Sequence, residues 1–237
     1  MAMVIPHQSF LYRLMSKAGV GLITLAEWFI DRVSSEETFY DTQKFSWVEK
    51  IEAMAPEIMR ELEAVMHSYE VIPQLKDLSA EQERIVTGNR WKSYFFYAYG
   101  QPVEKNIKNC PQTVQALHQI PGMVTAFYSI LEPNTQLIPH RGTYKGVLRY
   151  HLALKVPADV TDCALKIGNE TRHWQTGSSL VFDDSYLHEA WNNTGEVRVV
   201  LFVDFIRPLP FPLSAVNRSI IWLIARSPYI QNVLAKA

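Results

Sequence analysis

The chain has 237 residues, 48% of them hydrophobic, which fits one substantial domain with a real core and excludes a disordered chain. A formal net charge of −1 and a pI near 6.7 offer no global field for nucleic acid, so no nucleic-acid partner is expected. Cys110 and Cys163 stand far apart without a CxxC spacing, which argues against a zinc knuckle or a disulfide framework and reads as two buried free thiols in a reducing compartment.

Residues 1–90 read as a helical region that packs on the core. No basic, apolar and small-residue leader pattern is visible at the start. The apolar run Ala18 to Ile30 is interrupted by Glu27 and falls short of the ~20 residues that span a bilayer. Ser46-Trp47-Val48-Glu49 matches a capping box, and Trp47, Ile51, Met54, Ile58, Leu62, Val65 and Met66 recur behind it at helical spacing. Pro56 should kink or divide that helix. The pattern is lost between Glu70 and Asn89. Asn109-Cys110-Pro111 opens a short helix through Gln119, ended by Pro121-Gly122.

Residues 91–209 read as β. Ser93 to Tyr99, Val124 to Leu131, Val147 to Leu154, Ala164 to Ile167, Ser179 to Phe182 and Val197 to Phe205 are β-branched or aromatic runs between turn signals. Short strands without intervening helices predict a mainly β antiparallel sandwich or jelly roll, closed by the prolines of Arg207-Pro208-Leu209-Pro210-Phe211-Pro212. Residues 210–237 form a C-terminal amphipathic helix: Ser219 to Ala225 carries a Trp and is flanked by Arg218 and Arg226. With the similar segment Phe10 to Arg32 it gives the pattern of a membrane-surface helix, although amphipathic helices more often face their own core. The expected location is cytoplasmic, peripheral to the inner face of the membrane.

Strand alternation selects the residues that can carry chemistry. Val147, Arg149, His151 and Ala153 share one face of their strand, opposite a plain apolar face; Arg198, Val200, Phe202 and Asp204 share a face of theirs. Arginine among Val and Phe calls for a buried carboxylate ligand, an internal ion pair or an exposed edge. Ile138-Pro139-His140-Arg141-Gly142 has the shape of a metal-binding turn with one ligand missing, and His188 lies in Asp183-Asp184-Ser185-Tyr186-Leu187-His188. Non-heme iron sites pair two histidines with a carboxylate, commonly two residues after the first, where this chain has Gly142. Asp183 and Asp184 either orient a ligand histidine or cap the turn. His7, His67, His118 and His173 have no metal-ligand context.

These segments together resemble the aspartyl/asparaginyl β-hydroxylase family of iron(II)- and 2-oxoglutarate-dependent dioxygenases. The resemblance runs from Trp91 to Leu209 and rests on Ser129-Ile130-Leu131, Pro139-His140-Arg141-Gly142, Leu148-Arg149-Tyr150-His151-Leu152, Trp174, Gly177, Phe182-Asp183-Asp184-Ser185, His188-Glu189-Ala190-Trp191, Arg198 and Val203-Asp204. It implies a double-stranded β-helix, a cupin-like jelly roll with flanking helices. It also implies Fe(II) on the catalytic pair His140 and His188, with Gly142 part of the pattern, and 2-oxoglutarate held by Ser129, Arg149, His151 and Arg198. The implied reaction uses O2 to hydroxylate an unactivated C–H bond, with water or a halide in the vacated ligand position. The flanks, including Arg90-Trp91-Lys92, Tyr144-Lys145-Gly146 and Asn217 to Trp222, resemble bacterial lipid A and ornithine-lipid hydroxylases. The expected substrate is an acyl chain of a membrane lipid or a related small molecule, its headgroup met by a basic mouth of Lys92, Arg141, Lys145 and Lys105. The alternatives are Asp or Asn, free or in a peptide, then a halogenase or a non-catalytic cupin-like binding module.

Overall fold

Alternation along the strands builds a core between two sheets and a second core outside the larger one. The computed structural model describes residues 10–74, 85–87, 91–159, 161–227 and 230. Arg90 and most of the stretch between Glu70 and Asn89 where the pattern is lost lie outside them. The strands are β1 (Phe39–Tyr40), β2 (Val86–Thr87), β3 (Trp91–Ala98), β4 (Gln101–Pro102), β5 (Met123–Leu131), β6 (Thr135–His140), β7 (Val147–Lys155), β8 (Cys163–Ile167), β9 (Glu170–His173), β10 (Ser179–Phe182), β11 (His188–Asn192) and β12 (Arg198–Ile206). They form a seven-stranded sheet, β1-β10-β7-β12-β5-β3-β4, and a five-stranded sheet, β2-β6-β11-β8-β9. Every pairing is antiparallel, and the architecture is the expected double-stranded β-helix.

The inner faces meet through Phe95, Phe127, Ala153, Val200 and Phe202 on one side and Leu137, Leu165, Ile167 and Ala190 on the other. Residues one step along each strand point outward, so Phe96, Tyr128, Tyr150, Leu201 and Val203 pack against α2 (Val48–Ala53), α3 (Ala55–Met66) and α5 (Pro111–Leu117). A short α4 (Glu104–Asn109), not foreseen in the sequence, precedes α5. A third cluster joins the two ends of the chain: Ala26 and Ile30 of α1 (Phe10–Val33) pack with Ile220 and Ile221 of α6 (Leu213–Ala225). No described helix is long and apolar enough to cross a membrane.

The local readings fare differently. Pro56 divides the helix as expected and sits in the first turn of α3. The capping box at Ser46 is not formed: α2 starts after Trp47, which is already helical in backbone and makes no side-chain cap. Trp47 is held instead by edge-to-face packing on Tyr150 and Phe205, with ring centroids 5.0 and 5.3 Å away. Tertiary packing, worth about 0.5–1.5 kcal/mol per aromatic pair, fixes the helix start there. The six expected strands are present within two residues of their bounds; β6, β9 and β11, short and rich in polar residues, were not foreseen as strands. Cys110 and Cys163 are buried free thiols.

Candidate active site

The two histidines meet because of a bulge. His140 ends β6 and His188 begins β11, and the two are register partners. The next pairing is Ala190 with Leu137, so three steps on β6 span two on β11. The extra residue shifts the phase of β6 so that both Leu137 and His140 face inward. Pro139 lies within it, where a residue without an N–H does least damage to a ladder. The imidazole rings come to rest with centroids 4.1 Å apart.

Each ring is pinned at the same atom. His140 Nδ1 lies 2.8 Å from the Ile138 carbonyl and His188 Nδ1 lies 3.0 Å from the Tyr186 carbonyl. A carbonyl only accepts, so Nδ1 carries the proton and Nε2 offers its lone pair. Burial lowers the pKa of both; His188 falls to about 3, with help from His140 and Arg149. The pair is therefore two neutral imidazoles with free Nε2 atoms. Orientation comes from the backbone, and the aspartates before His188 do other work. Asp183 accepts from the Ser185 amide at 3.0 Å, capping the turn, and pairs with Arg207.

Asp184 occupies the place that a side chain at residue 142 would need. A Cβ built on Gly142 would come within 2.6 Å of all three heavy atoms of the Asp184 carboxyl group. The strand ends are fastened there by Gly142 N–H donating to the Asp184 carbonyl at 2.8 Å. Burial pushes the Asp184 carboxyl up from its ordinary range; Arg149, at 2.8 Å, pulls against it, and Asp204 and Asp183 add to the rise. Sequence reasoning did not assign this contact, since it joins residues 42 positions apart across a loop. Among the described residues no group of three His, Cys, Asp or Glu side chains is placed to hold a metal, so the histidines stand as a pair.

Behind the pair lies a polar pocket in the apolar interior. Arg149, His151, Ser129 and Arg198 all face inward, on β7, β5 and β12. Arg149 is paired: it donates to Asp204 at 2.8 and 3.3 Å besides its bridge to Asp184. The internal ion pair thus accounts for that arginine, and the cross-strand register Arg149 to Asp204 is its cause. Arg198 is different. It is 2% exposed and, among the described residues, has no carboxylate partner and hydrogen-bonds only to the Ser129 carbonyl and hydroxyl at 3.4 Å, while its Nε has no partner. Burial draws its pKa down to about 10. His151 receives Trp174 Nε1–H on Nδ1 at 3.4 Å. Indole is a donor only, so His151 carries its proton on Nε2, and that atom too is buried without a partner. Two orphaned donors on one cationic wall call for an anionic acceptor. Ser129 is held in place by Trp91 Nε1–H at 2.9 Å.

The basic mouth forms only in part. Arg141 is exposed and donates to the Ser185 carbonyl at 2.9 Å, and Lys145 lies near Tyr186, its ammonium 5.1 Å from the ring centre but paired with Asp31. Lys92 does not join them. It follows Trp91 on β3 and so points to the opposite face, where it donates to the Tyr69 carbonyl at 2.9 Å and sits over the Tyr69 ring. Lys105, on α4, flanks a groove with Val65 and Tyr94 on that outer side.

The family model for aspartyl/asparaginyl beta-hydroxylase matches residues 52–208. The chain belongs to this family. The hydroxylase family match covers both histidines, the cationic pocket and Gly142. An ornithine lipid ester-linked acyl 2-hydroxylase of Rhizobium tropici is 45% identical over 195 residues, covering 82% of this chain and 69% of that protein. The human aspartyl/asparaginyl beta-hydroxylase is 32% identical over 135 residues, 54% of this chain and only 17% of the human protein. Among solved structures, a prolyl hydroxylase of Trichoplax adhaerens in complex with a peptide superposes with a TM-score of 0.45 at 14% identity, covering 72% of this chain and 81% of that one. The family match and the 45% relationship to the Rhizobium tropici hydroxylase make the chain a hydroxylase-family enzyme.

Proposed function

We propose that this protein is an Fe(II)- and 2-oxoglutarate-dependent dioxygenase that hydroxylates an acyl chain of a membrane lipid, at the 2-position. The observation that carries the cofactor reading is the match between donors and groups. Two neutral imidazoles present free Nε2 atoms, the form in which histidine binds a divalent metal. Arg198 Nε and His151 Nε2 are buried donors that lack an acceptor, and a dicarboxylate supplies acceptors at both ends. Iron with 2-oxoglutarate and O2 supplies the oxidant for an unactivated C–H bond. Arg198 with Ser129 would hold one carboxylate, and His151 with Arg149 would face the other. The apolar wall of Phe127, Phe202 and Trp174 around them keeps water out and strengthens those bonds. The side-chain space at Gly142 is filled by the Asp184 carboxyl, which favours water over a halide in the vacated position and hydroxylation over halogenation.

The acyl substrate rests on the 45% relationship to the Rhizobium tropici lipid hydroxylase, which spans most of both chains. The family name and the human relative favour the second reading, Asp or Asn. Purified protein with Fe(II), 2-oxoglutarate and ornithine lipid in detergent is expected to form succinate and a lipid heavier by one oxygen in its ester-linked acyl chain. Oxygen gain on an Asp- or Asn-containing peptide, with none on lipid, would transfer the assignment to the second reading. Absence of succinate with either would remove the enzyme reading.

Arg198→Met tests the cosubstrate pocket separately. Removing a buried cation that has no carboxylate partner among the described residues should leave the ligand-free protein at least as stable as wild type in urea. The same change should raise the 2-oxoglutarate requirement by about 100-fold, some 3 kcal/mol of lost ion pairing. Loss of stability without a change in that requirement would make Arg198 a structural residue.

A further inference from the structure

Eleven large hydrophobic side chains are exposed among the described residues, and their placement is not scattered. Leu22, Leu25, Trp28, Phe29 and Val33 lie on α1; Phe211, Val216, Trp222 and Leu223 lie on α6 or the turn that enters it. The remaining two, Ile138 and Leu187, are two positions before His140 and one before His188. We propose that α1 and α6 together form the seat on which this protein rests on an anionic phospholipid bilayer, with Trp28–Arg32 and Trp222–Arg226 as its two anchors. Delivery of acyl chains from that seat to the histidine pair rests on the lipid-hydroxylase reading; the docking itself does not.

The chemistry of the face selects the partner. Ala26 and Ile30 turn one side of α1 into the core. Glu27 and Asp31 fall on the flank beyond it and are spent on Lys145, whose amide donates to Glu27 at 3.0 Å and whose ammonium pairs with Asp31. The opposite flank, from Leu22 through Leu25, Phe29 and Val33 to Trp28, carries Arg32 as its charge and no acidic residue. Helix α6 contains no acidic residue at all, and Arg218 and Arg226 are exposed beside Trp222. The two Trp–Arg pairs are built alike. Arg32 donates to the Trp28 carbonyl at 3.0 Å with its guanidinium 3.1 Å from the ring centre; Arg226 donates to the Trp222 carbonyl at 3.2 Å, 3.6 Å from the ring centre. Indole rings favour the headgroup level, and arginine there meets phosphate. A symmetric second copy on this face would set arginine against arginine with no carboxylate between them, so a bilayer fits better than a dimer.

The seat is also fastened to the site. Lys145, gripped by α1, lies in the loop after Gly142, and its neighbour Tyr144 donates to Asn217 of α6 at 2.7 Å. Asn217 in turn donates to the Gly146 carbonyl at 2.7 Å. Both helices therefore hold the loop that leads from His140 and Gly142 into β7, so a membrane under the helices is held in fixed relation to the site.

The test uses the full chain and sedimentation with vesicles of phosphatidylcholine alone or of equal parts phosphatidylcholine and phosphatidylglycerol. Binding to the anionic vesicles is expected, with the tryptophan fluorescence shifted to the blue. The double variants Trp28→Ala/Trp222→Ala and Arg32→Gln/Arg226→Gln, which alter exposed side chains only, should each bind at least about tenfold more weakly. Both should keep a wild-type circular dichroism spectrum and wild-type turnover on detergent-dispersed lipid. Failure of the wild-type chain to bind anionic vesicles overturns the seat, as does a solution dimer that the tryptophan variant abolishes. Vesicle binding without lipid hydroxylation leaves the seat standing and removes the lipid substrate. Hydroxylation in detergent without vesicle binding does the reverse.

Discussion

Gly142→Asp is expected to destabilise this protein by about 3 kcal/mol or more and to give the histidine pair no working third ligand. Two costs add. Any Cβ at this position meets the whole Asp184 carboxyl group within 2.6 Å, and Asp184 is buried and tied to Arg149, so it has little freedom to withdraw. Overpacking of that kind costs about 1–3 kcal/mol. A second carboxylate placed beside Asp184 adds like-charge repulsion where burial already disfavours ionisation. Gly142→Ala isolates the first cost, and urea denaturation at unchanged slope measures it. In the Asp184→Ala background, where Arg149 keeps Asp204, the same substitution should cost at least about 1 kcal/mol less, because the obstructing group is gone. A Gly142→Ala cost below about 0.5 kcal/mol, or strict additivity of the two changes, would show that the space at Gly142 does not matter. Gly142 is therefore more than a missing ligand: Asp184 requires it.

Much of this site was legible in the chain, and the illegible parts share a cause. The two-residue period of a strand, which needs no partner to be read, put Arg149 and His151 on one face of their strand and Arg198 on one face of its own, and the family resemblance turned those faces inward. The same period, applied to Trp91–Ala98, would have turned Lys92 away from the mouth, since Lys92 alternates with the inward Trp91 and Ser93. His140 could not be phased that way, because the bulge at Pro139 shifts β6 by one residue relative to β11. The pairing of Arg149 with Asp204 depends on the register of β7 against β12, and that of Asp184 with Gly142 on a loop contact, neither of which is written in local sequence. Packing overrode local chemistry at Ser46, where aromatic contacts of Trp47 set the helix start that a capping box would have set one residue earlier. An antiparallel sandwich or jelly roll was legible because the long strands carry unbroken apolar outer faces, such as Leu148, Tyr150, Leu152 and Leu154, whereas the double-stranded β-helix was implied only by the family resemblance.

Asp183→Ala is expected to cost about 3–5 kcal/mol, the scale for stranding one member of a buried ion pair. Asp183 is 0% and Arg207 3% exposed, so the charge left on Arg207 would stay largely desolvated. The rest of Arg207 stays committed after the substitution: its side chain donates to the Lys145 carbonyl at 2.8 Å and to the Tyr40 hydroxyl at 3.0 Å. A charge left in that position lacks its only carboxylate contact among the described residues. Asp183→Asn, which keeps the shape and an acceptor oxygen, should cost less than Asp183→Ala. The paired change Asp183→Leu/Arg207→Met should return to within about 2 kcal/mol of wild type, because removing both charges removes the desolvation cost with the attraction. Stability and site order should separate in that double variant. The ion pair joins β1 through Tyr40, the loop before β7 through Lys145, and the turn that carries Asp184 and leads to His188. An apolar pair fills the volume without fixing those three segments relative to one another. Amide exchange should therefore stay fast at residues 144–147 and 183–188 in the double variant even where the denaturation midpoint has recovered. A single Asp183→Ala cost under about 1 kcal/mol, or full protection of both segments in the double variant, would reduce the pair to replaceable packing.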